Sequence, residues 1–373
     1  MSTEQPISIL DDLGKVQLVD SRNMLRLIND LPEQCETALG IGRSLAGGEP
    51  SEPPSVIFMS GVGDSGTAAE MAAVAVGEFV GMPVVASRGA TLPKFVTDTA
   101  LVIVIDYSGN SPSALRVYKE ARQRGAGLVC VTSGGKLREM ANRDEARIVK
   151  IPPGQPSRTA IGYLFMPVVA LIEQMGLAEG LIEKLSYGIR LMKNARETLR
   201  FENLTSRNVA KQIALALVGR YVVVFGSHDY RSVVARRLND QIAANGKTPA
   251  FICSLPDFAL GPISGWEMAG RQASQIVTVT LKDSQDRSEA PALMEAVRDV
   301  LHGFQMLDAE IRGGTTIEKL LYGVYLADYV SYYLALASDV DPTPLGFAKQ
   351  VEERLAAGDT VEGPRGPTLS QAY

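Results

Sequence analysis

Residues 55–66, Ser-Val-Ile-Phe-Met-Ser-Gly-Val-Gly-Asp-Ser-Gly, are the stretch that decides the fold of this chain. A short apolar run ends in a glycine-rich turn, and a helical pattern follows over 68–80. Similar apolar runs recur at 83–87, 101–105, 127–132 and 147–151, with helical patterns at 113–124 and 136–142. Nearly all-apolar strands that alternate with helices are typical of a parallel sheet covered on both faces. We therefore predict an α/β doubly wound domain.

The same alternation of apolar strands and helices appears again in the second half of the chain. Long helical stretches are predicted at 160–175 and 178–217, and the next apolar run is at 221–225. The remaining predicted elements are strands at 249–254 and 276–281 and helices at 231–244, 292–301 and 316–338. The two halves therefore look like one architecture used twice. The tail at 358–373 is rich in Gly, Pro, Thr and Ser, so we expect it to be disordered.

Composition limits the classes of partner. The 373 residues carry a formal net charge of -5, which does not favour nucleic acid or an anionic membrane. The 3 Cys follow no pairing or metal-ligand pattern. No apolar stretch comes near the ~20 residues that a membrane-spanning helix needs, and no signal peptide is visible. We expect a cytoplasmic protein without metal, cofactor, nucleic-acid or membrane partners.

Three turns carry the residue types that bind anions. Residues 61–66, 106–111 and 132–135 each follow a predicted strand, so they meet at the carboxyl edge of the sheet, where open α/β folds bind ligands. Glycine lets the backbone approach an anion, and hydroxyls and helix amides donate to it. The candidate binding residues are Gly63, Ser65, Gly66, Ser108, Gly109, Asn110, Ser111, Thr132 and Ser133. One such turn is more often plain topology, and Ser111 before Pro112 is also a typical N-cap, but three turns together favour a ligand site.

The order of these motifs resembles a known family. Gly-x-Gly-x-Ser-Gly at 61–66, Tyr-Ser-Gly-Asn-Ser at 107–111, Thr-Ser-Gly-Gly at 132–135 and Pro-Ser-Arg-Thr-Ala at 156–160 are similar to motifs of the bifunctional phosphoglucose/phosphomannose isomerases. The resemblance covers about residues 20–355. Its most specific part is Asp-Tyr-Val-Ser-Tyr-Tyr-Leu-Ala at 328–335 with Asp-Pro-Thr-Pro at 341–344.

The resemblance implies two SIS-type domains with parallel sheets flanked by helices. We expect an N-terminal helical segment at 1–54, a first domain at 55–176, linking helices at 177–217 and a second domain at 218–357. It also implies a homodimer that binds a hexose 6-phosphate and interconverts aldose and ketose through an enediol. The phosphate would lie against Ser65, Ser108, Ser111 and Thr132, and Arg158 would stabilise the developing enediolate charge.

Two positions depart from the family pattern. The family's base, a Glu, corresponds to Ala244, and its His corresponds to Leu260. Neither residue can carry a proton. Candidate replacements are Asp257, Glu267 and His228, although each is also a common surface or helix-end residue.

Two carboxylates complicate phosphate binding. Asp64 and Asp106 stand in the first two turns, where a carboxylate repels phosphate. Asp64 could instead cap the following helix, and Asp106 could pair with Arg or Lys. Two hypotheses therefore stay open: an isomerase with a relocated base, and a non-catalytic protein that senses a sugar or sugar phosphate.

Overall fold

The structure is a computed structural model that describes residues 9–45, 48, 50 and 52–357. The tail at 358–373, predicted to be disordered, lies outside the described residues. The chain divides into two compact units, Met1–Pro342 and Thr343–Tyr373. The second unit contains one described helix, α14 (Gly346–Ala357).

The first sheet is parallel throughout and has the strand order β2-β1-β3-β4-β5. Its strands are β1 (Ile57–Ser60), β2 (Val84–Ser87), β3 (Leu101–Ile105), β4 (Gly127–Thr132) and β5 (Arg147–Lys150). Every residue of the central strand β3 is buried, because helices cover both faces of the sheet. The connecting helices are α4 (Asp64–Gly77), α5 (Pro112–Gln123) and α6 (Gly135–Arg143). The predicted α/β doubly wound fold is confirmed.

The second sheet repeats this plan with the order β7-β6-β8-β9, again parallel. Its strands are β6 (Tyr221–Ser227), β7 (Ala250–Leu255), β8 (Ile276–Lys282) and β9 (Gln305–Glu310). Helices α10 (Tyr230–Ala244), α11 (Asp257–Leu260) and α12 (Ala290–Val300) accompany them. Strand β9 was not predicted, because this edge strand reads Gln-Met-Leu-Asp-Ala-Glu and lacks a continuous apolar run.

Further helices join the two sheets. They are α1 (Leu13–Val19), α2 (Met24–Asn29), α3 (Leu31–Ser44), α7 (Ile161–Gln174), α8 (Leu181–Leu199), α9 (Val209–Leu217) and α13 (Thr316–Ala337). One continuous core includes side chains of β1 and β3 from the first sheet and of β6 and β8 from the second. The two sheets therefore share one hydrophobic core.

Helix α13 is the centre of that core. Its aromatic side chains are buried, and the Tyr329 hydroxyl donates to Asn29 Oδ1 at 2.5 Å and the Tyr333 hydroxyl to the Leu199 carbonyl at 2.5 Å. The helix is long and apolar enough to cross a membrane by length and composition, so the expectation that no apolar stretch comes near that length is wrong. However, 94% of its apolar window is buried inside the protein, as in a core helix.

Candidate functional site

The first sheet brings the three predicted turns together. Strand β1 has β2 on one side and β3 on the other, so the turns after β1 and β3 flank the topological switch point. The turn after β3 packs directly on the turn after β4, because a Cβ on Gly109 would lie 1.9 Å from the Gly134 carbonyl oxygen. Gly109 also has φ of 69°, a conformation that favours glycine. The glycine is therefore required by this close approach.

Asp106 fills the turn after β3. Its Oδ2 accepts from the Ser111 amide at 2.8 Å and from the Ser111 hydroxyl at 3.0 Å, and its Oδ1 accepts from the Ser108 hydroxyl at 3.3 Å. Asp106 is 7% exposed. The alternative that Asp106 pairs with Arg or Lys is wrong, because its partners are hydroxyls and an amide that the sequence predicts to bind phosphate. The carboxylate thus accepts hydrogen bonds from three of the predicted phosphate donors.

The other hydroxyls also have partners within the protein. The Thr132 hydroxyl donates to the Gly134 carbonyl at 2.9 Å, and the Ser133 hydroxyl donates to the Tyr107 carbonyl at 2.6 Å. The Ser65 hydroxyl accepts from the Tyr107 amide at 3.3 Å. Ser111 stands at the N-cap position of α5 but makes no side-chain cap, because its hydroxyl is turned to Asp106. A phosphate bound here must displace internal hydrogen bonds.

Asn110 lies on the exposed side of the turn after β3. Its Nδ2 donates to the Ser108 carbonyl at 3.2 Å, and its Oδ1 accepts from the Lys136 amide at 3.1 Å at the start of α6. That amide belongs to the first turn of a helix, where an anion could otherwise bind. Asn110 therefore ties the second turn to the third.

The turn after β1 is covered by Arg88. Its Nη1 donates to the Gly63 carbonyl at 3.0 Å, and its Nε donates to Glu70 at 2.7 Å. A Cβ on Gly66 would lie 2.8 Å from the Gly61 carbonyl oxygen and 3.0 Å from this guanidinium, so the backbone of the turn has room only for glycine. Burial alone would lower the pKa of Arg88, but hydrogen bonding to Glu70 raises it above the ordinary value. This guanidinium is thus held by Glu70 at the edge of the turn.

Asp64 does not cap helix α4, so that interpretation is wrong. The N-cap is Gly63, and Asp64 begins the helix. Its Oδ2 accepts from the Ser157 hydroxyl at 2.6 Å, and its Oδ1 lies 3.3 Å from Nη1 of Arg237. Asp64 therefore links the first turn to the segment that carries Arg158.

Arg158 is held inside the protein and is 5% exposed. It lies in a single 3-10 turn, Ser157–Thr159, and its Nε donates to Asn245 Oδ1 at 2.8 Å and its Nη2 to the Pro342 carbonyl at 3.0 Å. Burial and the neighbouring Arg237 lower the pKa of Arg158, although Asp64 acts in the opposite direction. The guanidinium has the charge of an enediolate-stabilising group, but these donors are already engaged.

The two departures from the family pattern lie in different surroundings. Ala244 ends α10 beside the buried Asn245, whose Nδ2 donates to Ser331 at 3.0 Å. Leu260 ends the short helix α11 and is 81% exposed. Lys247 Nζ donates to the carbonyls of Ala244 and Pro342, and burial together with Arg158 lowers the pKa of Lys247 to about 8.

The candidate replacement bases lie elsewhere. His228 Nε2 is 3.0 Å from Asp257 Oδ2, and both side chains are exposed at the carboxyl ends of β6 and β7. His228 precedes the 15-residue helix α10, whereas Arg158 contacts Asn245 after its last residue. A helix of that length spans roughly 22 Å. The structure therefore joins His228 to Asp257 and separates both from Arg158 within one chain.

Glu267 is the third candidate. It lies exposed between two 3-10 segments, Pro262–Trp266 and Met268–Gln275, beyond α11. No contact in the described part of the chain joins it to Arg158 or to the turns of the first sheet. The structure thus places the three candidate bases in the second half, away from the first switch point.

A buried ion pair was not found from the sequence. Arg237 is 1% exposed, and its Nε and Nη2 donate to Asp328 at 2.9 Å each. Burial alone would lower the pKa of Arg237, but Asp328 and Asp64 raise it above its ordinary value. The same Nη2 donates to the Arg158 carbonyl at 2.6 Å, so the pair fixes the segment carrying Arg158. The available signal was Asp328, a carboxylate within the apolar run of α13.

Within the described residues, no group of three or more His, Cys, Asp or Glu is placed to hold a metal ion. The site consists of three serine- and glycine-rich turns, two carboxylates within them and a buried arginine. Such turns at the switch point of a parallel sheet, with a second sheet of the same plan, define the SIS class of sugar-phosphate proteins.

Comparisons with known proteins agree with this class. Residues 53–175 match the SIS domain, and residues 206–355 match the bacterial phospho-glucose isomerase C-terminal SIS domain. A bifunctional phosphoglucose/phosphomannose isomerase from Caldicellulosiruptor bescii is 29% identical over 335 residues, 89% of this chain and 99% of that protein. One from Aquifex aeolicus is 30% identical over 276 residues, 73% of this chain and 81% of that protein. The chain belongs to the bifunctional phosphoglucose/phosphomannose isomerase family.

Solved structures support the fold. A glucose-6-phosphate isomerase like protein from Thermus thermophilus is 19% identical, with a TM-score of 0.58 and coverage of 91% of this chain and 98% of that chain. At this level of identity the similarity establishes the fold alone. The two SIS domains expected from the sequence are therefore present.

Proposed function

We propose that this protein binds a sugar phosphate at the edge of the first sheet and does not interconvert aldose and ketose at the rate of an isomerase. One observation carries the proposal. Ala244 and Leu260 stand at the positions that correspond to the family's base and His, and the carboxylate of Asp106 accepts from Ser111 in the turn predicted to bind phosphate. The protein is then a sensor or regulatory member of an enzyme family.

The absence of proton-handling side chains at both positions supports a loss of catalysis. Moving a proton between C1 and C2 needs a base within hydrogen-bond reach, and a positioned base typically contributes about 10²–10⁴-fold. Arg158 is too strongly basic to accept a proton, and two of its donors are engaged by Asn245 and Pro342.

Competition between Asp106 and the ligand's phosphate supports weak, reversible binding. The Ser108 hydroxyl and the Ser111 amide and hydroxyl, which we propose as phosphate donors, already donate to Asp106. A phosphate must turn the carboxylate away before it gains these bonds. A weak site responds to changes in ligand concentration over a high range, which suits a sensor.

A second candidate is an isomerase with a relocated base. The His228–Asp257 pair favours it, because a carboxylate beside an imidazole is a common acid–base arrangement. In this candidate the reaction takes place at the second sheet, without Arg158.

The homodimer and the cytoplasmic location stay proposals, and light scattering of the purified protein tests the homodimer.

A coupled assay separates the two candidates. Fructose 6-phosphate is supplied, glucose 6-phosphate and mannose 6-phosphate are both measured, and melting temperature is followed in parallel. We expect no turnover above that of Arg158→Lys, together with thermal stabilisation by fructose 6-phosphate. Turnover that His228→Asn abolishes would establish the relocated base. Turnover that survives His228→Asn but is lost in Arg158→Lys would contradict both candidates.

A further inference from the structure

A cavity of about 450 Å³ lies at the carboxyl edge of the second sheet. It opens between the ends of β6 and β8, and it is bordered by Ser227 and Asp283. Strand β6 has β7 on one side and β8 on the other, so this is the switch point of the second sheet. None of the candidate site residues discussed above lines the cavity. Its size lies within the range of about 300–1,000 Å³ typical of small-molecule sites.

The floor of the cavity is apolar. Phe225, Leu255 and Met294 are buried beneath it, and the first turn of α12 forms a wall of small apolar residues, Ala290, Pro291 and Ala292. Phe225 packs in turn on Phe258, with ring centroids 4.9 Å apart. The side chains of the floor are therefore backed by a packed aromatic pair and offer an apolar surface to a ring.

The charged groups of the lining are paired with one another or with their neighbours. Arg231 Nη2 lies 2.6 Å from Asp286, and Asp283 accepts from Lys319 at 2.8 Å and from the Tyr230 hydroxyl at 2.8 Å.

Asp308, at the rim, pairs with Arg298 and lies 3.7 Å from Lys282, while Glu295 lies 3.7 Å from Arg298. An added full charge therefore meets no unpaired counter-charge in the described lining. Paired carboxylates keep lone pairs that accept from hydroxyls.

This separation of an apolar floor from a carboxylate rim selects among ligands. A hexose carries hydroxyls around its whole ring and would bury several of them unpaired on the floor. A phosphate would lack a free cation among the described lining residues. A nucleoside has a planar base, whose π-face can rest on apolar side chains while its polar edge points to the opening, and a ribose diol that can donate to carboxylates at the rim. We propose that the cavity binds an uncharged nucleoside, with its ring on Phe225, Leu255 and Met294 and its ribose hydroxyls donating to Asp286 and Asp308.

Calorimetric titration of the full chain with adenosine tests the proposal. Removing the 2′-hydroxyl leaves one acceptor unused, and adding a phosphate brings an uncompensated charge. We expect adenosine to bind with a Kd below about 1 mM, and 2′-deoxyadenosine and AMP to bind at least about fivefold more weakly. Glucose should give no heat in the same range.

A pair of variants on α12 locates the binding. Ala292→Phe fills the cavity and should weaken adenosine binding at least about tenfold. The control Ala296→Phe changes an exposed residue of the same helix outside the lining and should leave binding unchanged. Equal binding by both variants, tighter binding of AMP or glucose, or no adenosine heat at about 5 mM would overturn the proposal. Fructose 6-phosphate binding should be the same in both variants, because it belongs to the first sheet.

Discussion

Replacing Asp106 by asparagine removes the negative charge from the turn after β3 while keeping the shape of the side chain. In the structure the Ser111 amide and hydroxyl donate to the Asp106 carboxylate at 2.8 and 3.0 Å. The side-chain oxygen of an asparagine can accept the same two hydrogen bonds, so the turn should keep its conformation. We predict that Asp106→Asn binds fructose 6-phosphate more tightly than the natural protein.

The size of the effect follows from Coulomb's law. A carboxylate about 4 Å from a phosphate charge costs about 4 kcal/mol at an effective dielectric constant of 20, which corresponds to about 10³-fold in affinity. In the natural protein the Asp106 side chain can turn away from bound fructose 6-phosphate, which reduces that cost. The gain in affinity of Asp106→Asn should therefore lie between about 10-fold and 10³-fold. Asp106 is 7% exposed, and salt screens buried charges only weakly, so the gain should change little with ionic strength.

Isothermal titration calorimetry measures this gain directly. The control is Asp98→Asn, which removes the same charge from an exposed residue just before β3, at the amino edge of the sheet. We expect Asp98→Asn to change affinity less than about twofold, because solvent and salt screen a distant exposed charge. Unchanged or weaker binding in a folded Asp106→Asn protein would refute the claim that this carboxylate competes with phosphate.

Two further predictions concern stability and pH. Arg237→Ala leaves the buried Asp328 carboxylate without its guanidinium, so urea unfolding should show a loss of about 3–5 kcal/mol, whereas the neighbouring exposed Arg236→Ala should cost less than about 1 kcal/mol. The pKa of Lys247 is lowered to about 8 from 10.5, so the unfolded chain holds more protons than the folded protein between these values. Lys247 should therefore make the folded protein more stable as pH rises from about 8 to 10.5. Lys247→Gln should remove that rise in denaturation curves, and an identical pH profile in the variant would contradict the assigned pKa.

The strands of the first sheet could be predicted from sequence because each is a nearly unbroken apolar run. Strands β3 and β4 have the predicted bounds. Strand β9 was missed because an edge strand does not need apolar residues on both faces.

The turns of the candidate site were also predictable, but their internal bonding was not. The sequence showed that Asp106 stands beside Ser108 and Ser111, yet it could not show that the carboxylate accepts from both rather than from a cation. Asp328 within the apolar run of α13 indicates a buried carboxylate, but its partner Arg237 lies 91 positions away in the sequence, and no local pattern identifies that partner. The burial of Arg158 depends on the same long-range packing.

The central claim is that no group in this protein moves a proton between C1 and C2 of the bound sugar. Incubation of glucose 6-phosphate with the protein in D₂O, followed by NMR, detects enediol formation even when no product is released. We predict no deuterium at C2 above the level without protein, under conditions in which glucose 6-phosphate stabilises the fold. Deuterium incorporation that is lost in Arg158→Lys or His228→Asn would contradict the account.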